Sequence, residues 1–154
     1  MNKLLLNELK ERFELDQKLL LKKDWETLKQ IYRENSSWLK KIIHSQGWLS
    51  EKIVGEQGEL YAWLIVQHSD DFNFQKSCLK LLKNLPKTKE RNQHVAYLTD
   101  KILTKENKKQ IYGTQFSYGN PCPIFDKKNL DKRRAEMNLC PFKEYYSLMK
   151  NSRG

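Results

Sequence analysis

The sequence has little of what marks fibrous, linker-rich or membrane-spanning chains. Only 6 glycines and 4 prolines occur in 154 residues, too few for a collagen-like or low-complexity chain. No apolar run approaches the ~20 residues of a membrane helix. The leucines near the N-terminus give way to Asn7, too early for the ~7–15-residue core of a signal peptide. We therefore expect a soluble, cytoplasmic protein with a single helical domain over residues 1–150 and a frayed tail over residues 151–154.

Cysteine is also scarce. The three thiols are Cys78, Cys122 and Cys140, and no two of them form a C-x-x-C pair. This spacing fits neither a zinc ribbon nor a disulfide framework, so we expect reduced thiols. The metalloprotease pattern H-E-x-x-H, the P-loop and the Gly-x-Ser-x-Gly elbow are all missing from the sequence. We expect no metal and no cofactor.

Acidic residues are few in the second half of the chain. Residues 1–77 contain 12 basic and 12 acidic residues, whereas residues 78–154 contain 17 and 7, so the net charge of +10 comes from the second half. A one-sided positive field can attract an acidic protein or phosphates. Only 6 residues are Arg, the usual choice for bidentate base recognition, which argues against specific nucleic-acid binding. The candidate basic patch consists of Lys127, Lys128, Lys132, Arg133 and Arg134.

Apolar residues at three- and four-residue steps fill most of the chain and predict helices. The expected fold class is all-α, a compact bundle of about six or seven helices with one irregular Gly/Pro/aromatic loop over about residues 111–125. Asp24 and Ser50 are expected N-caps, and Trp25 belongs to the apolar stripe of the first segment. The expected helices are 3–32 with a break at 22–24, a helix from a cap at 35–37 to Gly47, then 54–68, 71–85, 91–106, 128–137 and a last helix from Pro141.

Two polar residues, Gln67 and His68, end the most apolar of these helices. His68 follows Ile65, Leu64 and Tyr61 by three, four and seven residues, which places it on the apolar face. Such side chains need partners, because an unpaired buried polar group costs about 1–3 kcal/mol. Three interpretations stay open: the pair ties down a loop carbonyl or a capping Asp, His68 is a general base or ligand clamp, or His68 binds a metal.

Two further pairs of polar residues lie on predicted helices. Asp16 and Gln17 interrupt the Leu-rich first helix, where Asp is unfavourable unless something satisfies it; the alternative is a charged surface face. Tyr97 and Asp100 are three residues apart on one helix and could reach the same pocket. Alternatively, Tyr97 is a half-buried packing residue and Asp100 a surface charge.

The segment Tyr112, Gly113, Thr114 and Gln115 is the third polar candidate. A glycine between polar side chains lets backbone N–H groups approach a ligand closely. The alternative is a tight turn packed by Tyr112 and Phe116.

These motifs occur together in a known family. The chain resembles the bacterial domain-of-unknown-function family 6624 over about residues 10–146. The matching motifs are 63–70 (WLIVQHSD), 96–100 (AYLTD), 112–115 (YGTQ), Asp16-Gln17, Gly47-Trp48, Arg133-Arg134 and Tyr145. The resemblance implies a shared site of scattered polar residues and names no reaction, because the family has no settled activity. Phe125 replaces a usual acidic residue, which argues against paired carboxylates in this loop.

Two functions are compatible with these observations, so the sequence leaves open whether the protein is an enzyme. In the first, a polar pocket binds a small polar ligand or substrate, with His68 as acid–base catalyst and Asp16 orienting it. The expected ligand-binding residues are Gln17, Gln67, Tyr97, Asp100, Tyr112, Gly113, Thr114 and Gln115. In the second, a non-enzymatic protein docks an acidic protein or nucleic acid through its basic second half.

Overall fold

The structure, a computed structural model that describes residues 1–151, consists mostly of α-helix. The helices are α1 (Lys3–Lys22), α2 (Trp25–Gln46), α3 (Glu51–His68), α4 (Phe72–Lys83), α5 (Lys89–Lys105), α6 (Leu130–Glu136) and α7 (Phe142–Asn151). A two-stranded hairpin, β1 (Phe116–Ser117) and β2 (Asn120–Pro121), and a short 3-10 turn (Lys127–Asn129) separate α5 from α6. The predicted all-α class is confirmed. Within the described part of the chain, no helix is both long and apolar enough to cross a membrane.

The chain divides into two compact units, Met1–Leu81 and a second unit from Leu82 onward. In the first unit, α1, α2 and α3 pack on one another around fully buried residues that include Leu9, Leu39 and Ala62. Trp25 was expected in the apolar stripe, but it is 57% exposed. The stripe loses its register there because a helix break directly precedes Trp25.

The boundaries of α1 and α2 follow the capping residues of the sequence. Lys23 has a left-handed backbone with φ of 56° and ends α1. The side chain of Asp24 then accepts a hydrogen bond from the backbone N–H of Thr27 at 3.2 Å and caps α2. Gly47 ends α2 with φ of 80°, and Ser50 is the first residue outside α3. The predicted break at 22–24 is therefore confirmed.

The predicted helix start at residues 35–37 is wrong, because α2 runs through this segment without interruption. The polar side chains find partners that do not require a cap. The Ser36 hydroxyl donates to the Tyr32 carbonyl at 2.6 Å, and Asn35 accepts from the Arg12 guanidinium at 2.8 Å. Both residues are buried, so the segment belongs to the helix–helix interface.

The first turn of α3 is separated from its remainder by Gly55, whose φ of 75° and ψ of 167° are not helical. The helix therefore begins at Glu51, earlier than the predicted residue 54. The buried carboxylate of Glu59 bridges the interruption, because it accepts from the Trp48 indole N–H at 2.9 Å and from the Glu51 backbone N–H at 2.7 Å. A residue with φ above zero is ordinarily glycine, so Gly55 fixes where the chain bends.

The second unit begins its regular structure with α5, whose N-cap is Thr88; its hydroxyl oxygen accepts from the Arg91 backbone N–H at 3.1 Å. The predicted irregular loop contains the hairpin. Tyr118 and Gly119 form its turn, with φ values of 48° and 81°. The loop is ordered by hydrogen bonds described below.

The C-terminal helices differ from the prediction in their bounds. The expected helix over 128–137 is a 3-10 turn followed by α6, which ends at Glu136. The next helix, α7, begins one residue after Pro141, and Asp131 accepts from the Phe142 backbone N–H at 2.7 Å at its start. Asn151 is part of α7, and the other residues of the expected frayed tail, 152–154, lie outside the described residues.

Candidate functional site

The first unit brings two predicted catalytic residues into contact. Asp16 lies in the middle of α1 and His68 is the last residue of α3. Their side chains meet because α1 packs on α3, and the His68 Nδ1 lies 2.8 Å from the Asp16 Oδ2. The Asp16 side chain is 7% exposed, whereas that of His68 is 27% exposed. The pair, called the Asp16–His68 dyad below, thus joins a buried carboxylate to an imidazole that solvent reaches.

A third side chain, Tyr32 of α2, completes this arrangement. Its hydroxyl donates to the Asp16 Oδ1 at 3.3 Å, and its ring lies against the His68 ring with a centroid separation of 4.7 Å and an angle of 41°. Burial and the neighbouring charge of Asp16 raise the pKa of Tyr32 above its ordinary value. Tyr32 is therefore a protonated donor at neutral pH. Tyr32 could not be recognised from its residue type and position, because a tyrosine on a half-apolar helix face is usually a packing residue.

The contact with Asp16 decides which ring nitrogen of His68 is free for chemistry. An ionised carboxylate only accepts hydrogen bonds, so the proton between the two residues belongs to Nδ1. In the neutral imidazole this leaves the lone pair on Nε2. Nε2 is then the ring nitrogen able to accept a proton.

Gln75 fixes the end of α3 next to His68. Its side-chain amide donates to the carbonyls of Val66 and Ser69 at 2.9 and 3.0 Å, and it is fully buried. Gln75 thus ties down two carbonyls at the end of α3, and the interpretations of Gln67 and His68 stay predictions. Gln67 is also buried, and Gln17 next to Asp16 is half-buried.

The acidic residues after His68 are engaged elsewhere. Asp70 accepts from Arg33 at 3.4 Å. Asp71 pairs with Lys40 at 2.8 Å and accepts from the Phe74 backbone N–H at 2.9 Å, and these hydrogen bonds lower the pKa of Asp71. In residues 1–151, no group of three or more His, Cys, Asp or Glu side chains is placed to hold a metal ion.

In the second unit, Asp100 organises the predicted YGTQ segment. It is fully buried, so the alternative that it is a surface charge is wrong. Its carboxylate accepts from the backbone N–H groups of Ile111 at 2.7 Å, Tyr112 at 3.0 Å and Thr114 at 2.9 Å, and from the Thr114 hydroxyl at 3.0 Å. The hydrogen bonds from these donors offset the free-energy cost of burying the Asp100 carboxylate. The carboxylate is occupied by the loop itself.

Two glutamine side chains of this loop also form hydrogen bonds within it. Gln110, which the sequence analysis missed, donates to the carbonyls of Gln115 and Cys122 at 3.0 and 2.8 Å and accepts from the Gln115 backbone N–H at 2.8 Å. The Gln115 side chain donates to the Thr114 hydroxyl at 3.1 Å. A Cβ added to Gly113 would lie 2.9 Å from the Phe142 ring. The absence of a side chain at Gly113 therefore allows the Phe142 ring to pack against this position.

Tyr97 belongs to the aromatic packing of the second unit. Its ring meets the Tyr145 ring edge to face at 6.2 Å, and the Tyr145 hydroxyl donates to the Thr114 carbonyl at 3.2 Å. These contacts match the alternative in which Tyr97 packs. The ligand-binding role expected of Tyr97, Asp100 and residues 112–115 stays a prediction.

Two residues of the candidate basic patch, Arg133 and Arg134, form hydrogen bonds within the fold. Arg134 is 1% exposed and donates to the carbonyls of Cys140 and Tyr112 at 2.7 and 2.6 Å. Arg133 donates to the carbonyls of Ile111 and Phe125 at 3.0 and 2.6 Å. Both guanidinium groups are used inside the fold because each satisfies several loop carbonyls at once. The exposed members are Lys127, Lys128 and Lys132.

The predicted site residues therefore fall into two sets. The dyad and its neighbours Gln17 and Gln67 belong to the first unit, and Tyr112 to Gln115 belong to the second. Within the first set, Asp16 and His68 are in contact. The expected convergence of the two sets in one pocket stays a prediction.

The comparisons with known proteins give one match. A family model described as a family of unknown function, DUF6624, matches residues 24–154. This range contains His68 and residues 112–115, and it begins after Asp16 and Gln17. No curated protein and no solved structure matches the chain.

Proposed function

The chain belongs to the DUF6624 family, whose function is unknown, and from its own residues we propose that it binds a small polar substrate on which the Asp16–His68 dyad performs acid–base chemistry. One observation supports this most directly: the 2.8 Å contact between a buried carboxylate and a solvent-reachable imidazole. Free thiols at Cys78, Cys122 and Cys140 suit the cytoplasm as its proposed location.

The proposed chemistry uses the two ring nitrogens of His68 differently. Nδ1 donates to Asp16, and Nε2 removes a proton from the substrate or from a water that attacks it. The imidazolium then returns that proton to the leaving group. Asp16 stabilises the charged ring while it exists and keeps the ring in the productive orientation. Gln17 and Gln67 are the proposed substrate-holding side chains in the same unit.

Turnover of three chromogenic p-nitrophenyl substrates tests this proposal. The substrates are p-nitrophenyl acetate, p-nitrophenyl phosphate and p-nitrophenyl β-D-glucopyranoside, which report acyl, phosphoryl and glycosyl transfer. We expect one of them to be hydrolysed, with loss of activity in His68→Ala and a drop of at least about 10²-fold in Asp16→Asn. The exposed His44 provides the control His44→Ala, which should match the wild type. Equal rates in all four proteins would contradict the proposal.

Acylation by diethyl pyrocarbonate tests the dyad without a substrate. His68 is less exposed than His44, so exposure alone makes it the slower residue. We expect His68 to react at least as fast as His44, because Asp16 keeps the lone pair on Nε2. In Asp16→Asn this advantage should disappear. Site-resolved mass spectrometry measures both rates, and a slow His68 that Asp16→Asn leaves unchanged would refute an activated imidazole.

The alternative function, docking of an acidic partner, has weaker support. Arg133 and Arg134 donate to backbone carbonyls, which leaves three exposed lysines of the candidate patch. Binding to an acidic partner through them would weaken as salt rises, whereas binding of a neutral substrate at the dyad would not.

A further inference from the structure

We propose that Tyr32 is a positioning residue of this site, which holds Asp16 and His68 in one geometry through its hydroxyl and its ring. The inference rests on the proposed function of the dyad and assigns a third element, α2, to the site. Tyr32 acts through Asp16 and His68 and is not itself proposed to touch the substrate.

The hydroxyl of Tyr32 fixes the carboxylate of Asp16. One carboxylate oxygen, Oδ2, contacts the His68 Nδ1 at 2.8 Å, and the other, Oδ1, accepts from Tyr32 at 3.3 Å. Asp16 is buried, where a carboxylate oxygen without a donor is costly. Two donors on opposite oxygens restrict rotation of the carboxylate group. Asp16 therefore presents Oδ2 to the imidazole in one orientation.

The ring of Tyr32 restricts the imidazole. The two rings lie at a centroid separation of 4.7 Å, close enough to limit rotation of the His68 ring about its χ2 bond. The Tyr32 backbone is itself held, because its carbonyl accepts from the Ser36 hydroxyl at 2.6 Å within α2. The same side chain thus contacts both members of the dyad, one with its hydroxyl and one with its face.

Neighbouring charges are engaged in other pairs. Arg12, one turn before Asp16 on α1, donates to Asn35 and Glu8, both at 2.8 Å. Asp70 and Asp71, which follow His68, pair with Arg33 and Lys40. Asp16 Oδ1 accepts its hydrogen bond from the Tyr32 hydroxyl rather than from these charged side chains.

Nitrogen-15 NMR of the full chain tests the inference through the tautomer of His68. In the wild type we expect nearly all neutral His68 as the Nδ1–H form, with a downfield Nδ1–H proton from the contact with Asp16. Tyr32→Phe keeps the ring and removes the hydroxyl, so the Nδ1–H proton should move and exchange with water at least about threefold faster. Tyr32→Leu also removes the ring and should add a detectable population of the Nε2–H tautomer. Unchanged tautomer populations and Nδ1–H exchange in both variants would overturn the inference.

A matched control separates positioning from general packing. Tyr61 on α3 stacks on Phe13 at 4.6 Å, and Tyr61→Phe should leave the His68 signals as in the wild type. Circular dichroism and the melting temperature verify folding, and Tyr32→Phe is the conservative variant that remains informative if Tyr32→Leu fails to fold. If His68 signals change equally in Tyr61→Phe and Tyr32→Phe, the effect is general packing and the inference is wrong.

The same spectra distinguish failure of this inference from failure of the proposed function. The His68 tautomer in Asp16→Asn tests the dyad itself, and the His68 tautomer in Tyr32→Phe tests its positioning by Tyr32. A tautomer that depends on Asp16 and not on Tyr32 would refute the positioning role and leave the dyad intact. A tautomer that depends on neither residue would refute both.

Discussion

At the scale of single residues, a few buried polar side chains provide the hydrogen bonds that loop backbone groups lack. Asp100 and Gln110 each satisfy several backbone groups of one loop, and Arg134 does the same for the carbonyls around it. Each is buried, so its hydrogen bonds form away from competing water. Each of these three side chains therefore orders the backbone around it.

The first prediction concerns Arg134. Arg134→Met should lower the free energy of unfolding by roughly 2–5 kcal/mol, because the carbonyls of Cys140 and Tyr112 lose a charge-assisted donor in a buried place. Arg134→Lys should recover only part of this loss, since an ammonium lacks the planar fork of the guanidinium. Urea unfolding measures both variants. The exposed neighbour Lys132 gives the control Lys132→Met, with an expected change within about 0.5 kcal/mol.

An Arg134→Met variant as stable as Lys132→Met would show that the two carbonyls have other donors. The structural role assigned to Arg134 would then be wrong, and its place in a functional patch would need to be reconsidered.

The sequence could indicate some of these residues and not others. Asp16 was recognisable because an acidic residue within an apolar helical pattern needs a partner. Tyr32 and Gln110 were not, since their partners are distant in sequence and their residue types are ordinary at such positions. Arg133 and Arg134 were misassigned because a pair of arginines has the same sequence pattern whether its donors meet solvent or loop carbonyls.

At the scale of elements, local signals predicted where helices lie better than where they end. The break near Lys23 followed from a capping Asp, whereas α4 ends at Lys83, two residues before the predicted end at residue 85. The cap signal at residues 35–37 was misleading, because Ser36 bonds back to its own helix and Asn35 to Arg12 of α1. One hydrogen bond within α2 and one between α1 and α2 thus override the preference of these residues for a helix cap.

The second prediction concerns the interruption of α3. Gly55 has φ of 75° and ψ of 167°, a region open essentially to glycine. Gly55→Ala should therefore lower the free energy of unfolding by roughly 1–3 kcal/mol. The exposed helical residue Ser37 gives the control Ser37→Ala, which should be neutral or slightly stabilising. Thermal unfolding followed by circular dichroism measures both, and a neutral Gly55→Ala would mean that α3 can straighten without cost.

The charge of the whole molecule is +10, and its buried ionisable groups make stability depend on pH in opposite directions. Burial, with a smaller contribution from the charge of Lys105, lowers the pKa of Lys101 to about 8. Burial and a hydrogen bond with Tyr97 raise the pKa of Tyr145, and Tyr32 shifts in the same direction. The unfolded chain has ordinary values for all three groups.

The third prediction follows from these signs. Between about pH 8 and pH 10 the unfolded chain holds a proton on Lys101 that the folded chain has released, so stability should rise with pH. Above pH 10 the unfolded chain loses tyrosine protons that the folded chain keeps, so stability should fall. From about pH 9 the Cys78 thiol offsets the rise that Lys101 gives, because burial raises the pKa of Cys78 to about 12 and the folded chain keeps a proton that the unfolded chain loses. Urea unfolding from pH 7 to pH 11 should therefore show a maximum between about pH 9 and pH 10.

Single variants show which residue causes the rise and which causes the fall in stability with pH. Lys101→Met should flatten the rise, with the exposed Lys128→Met as its control, and Tyr145→Phe should flatten the fall. A monotonic curve in the wild type would contradict the opposing contributions.

The hydrogen bonds that Asp100 and Gln110 accept have a kinetic consequence. The backbone N–H groups of Ile111, Tyr112, Thr114 and Gln115 belong to no helix or strand, yet each donates to a side chain of the same unit. An amide hydrogen exchanges there only after it leaves its buried acceptor. Because three of the four amides share the Asp100 carboxylate, we expect their opening to be tied to a larger unfolding event. We expect these four amides to exchange with deuterium as slowly as those in the middle of α5, so that one of the least regular segments is also one of the slowest to open.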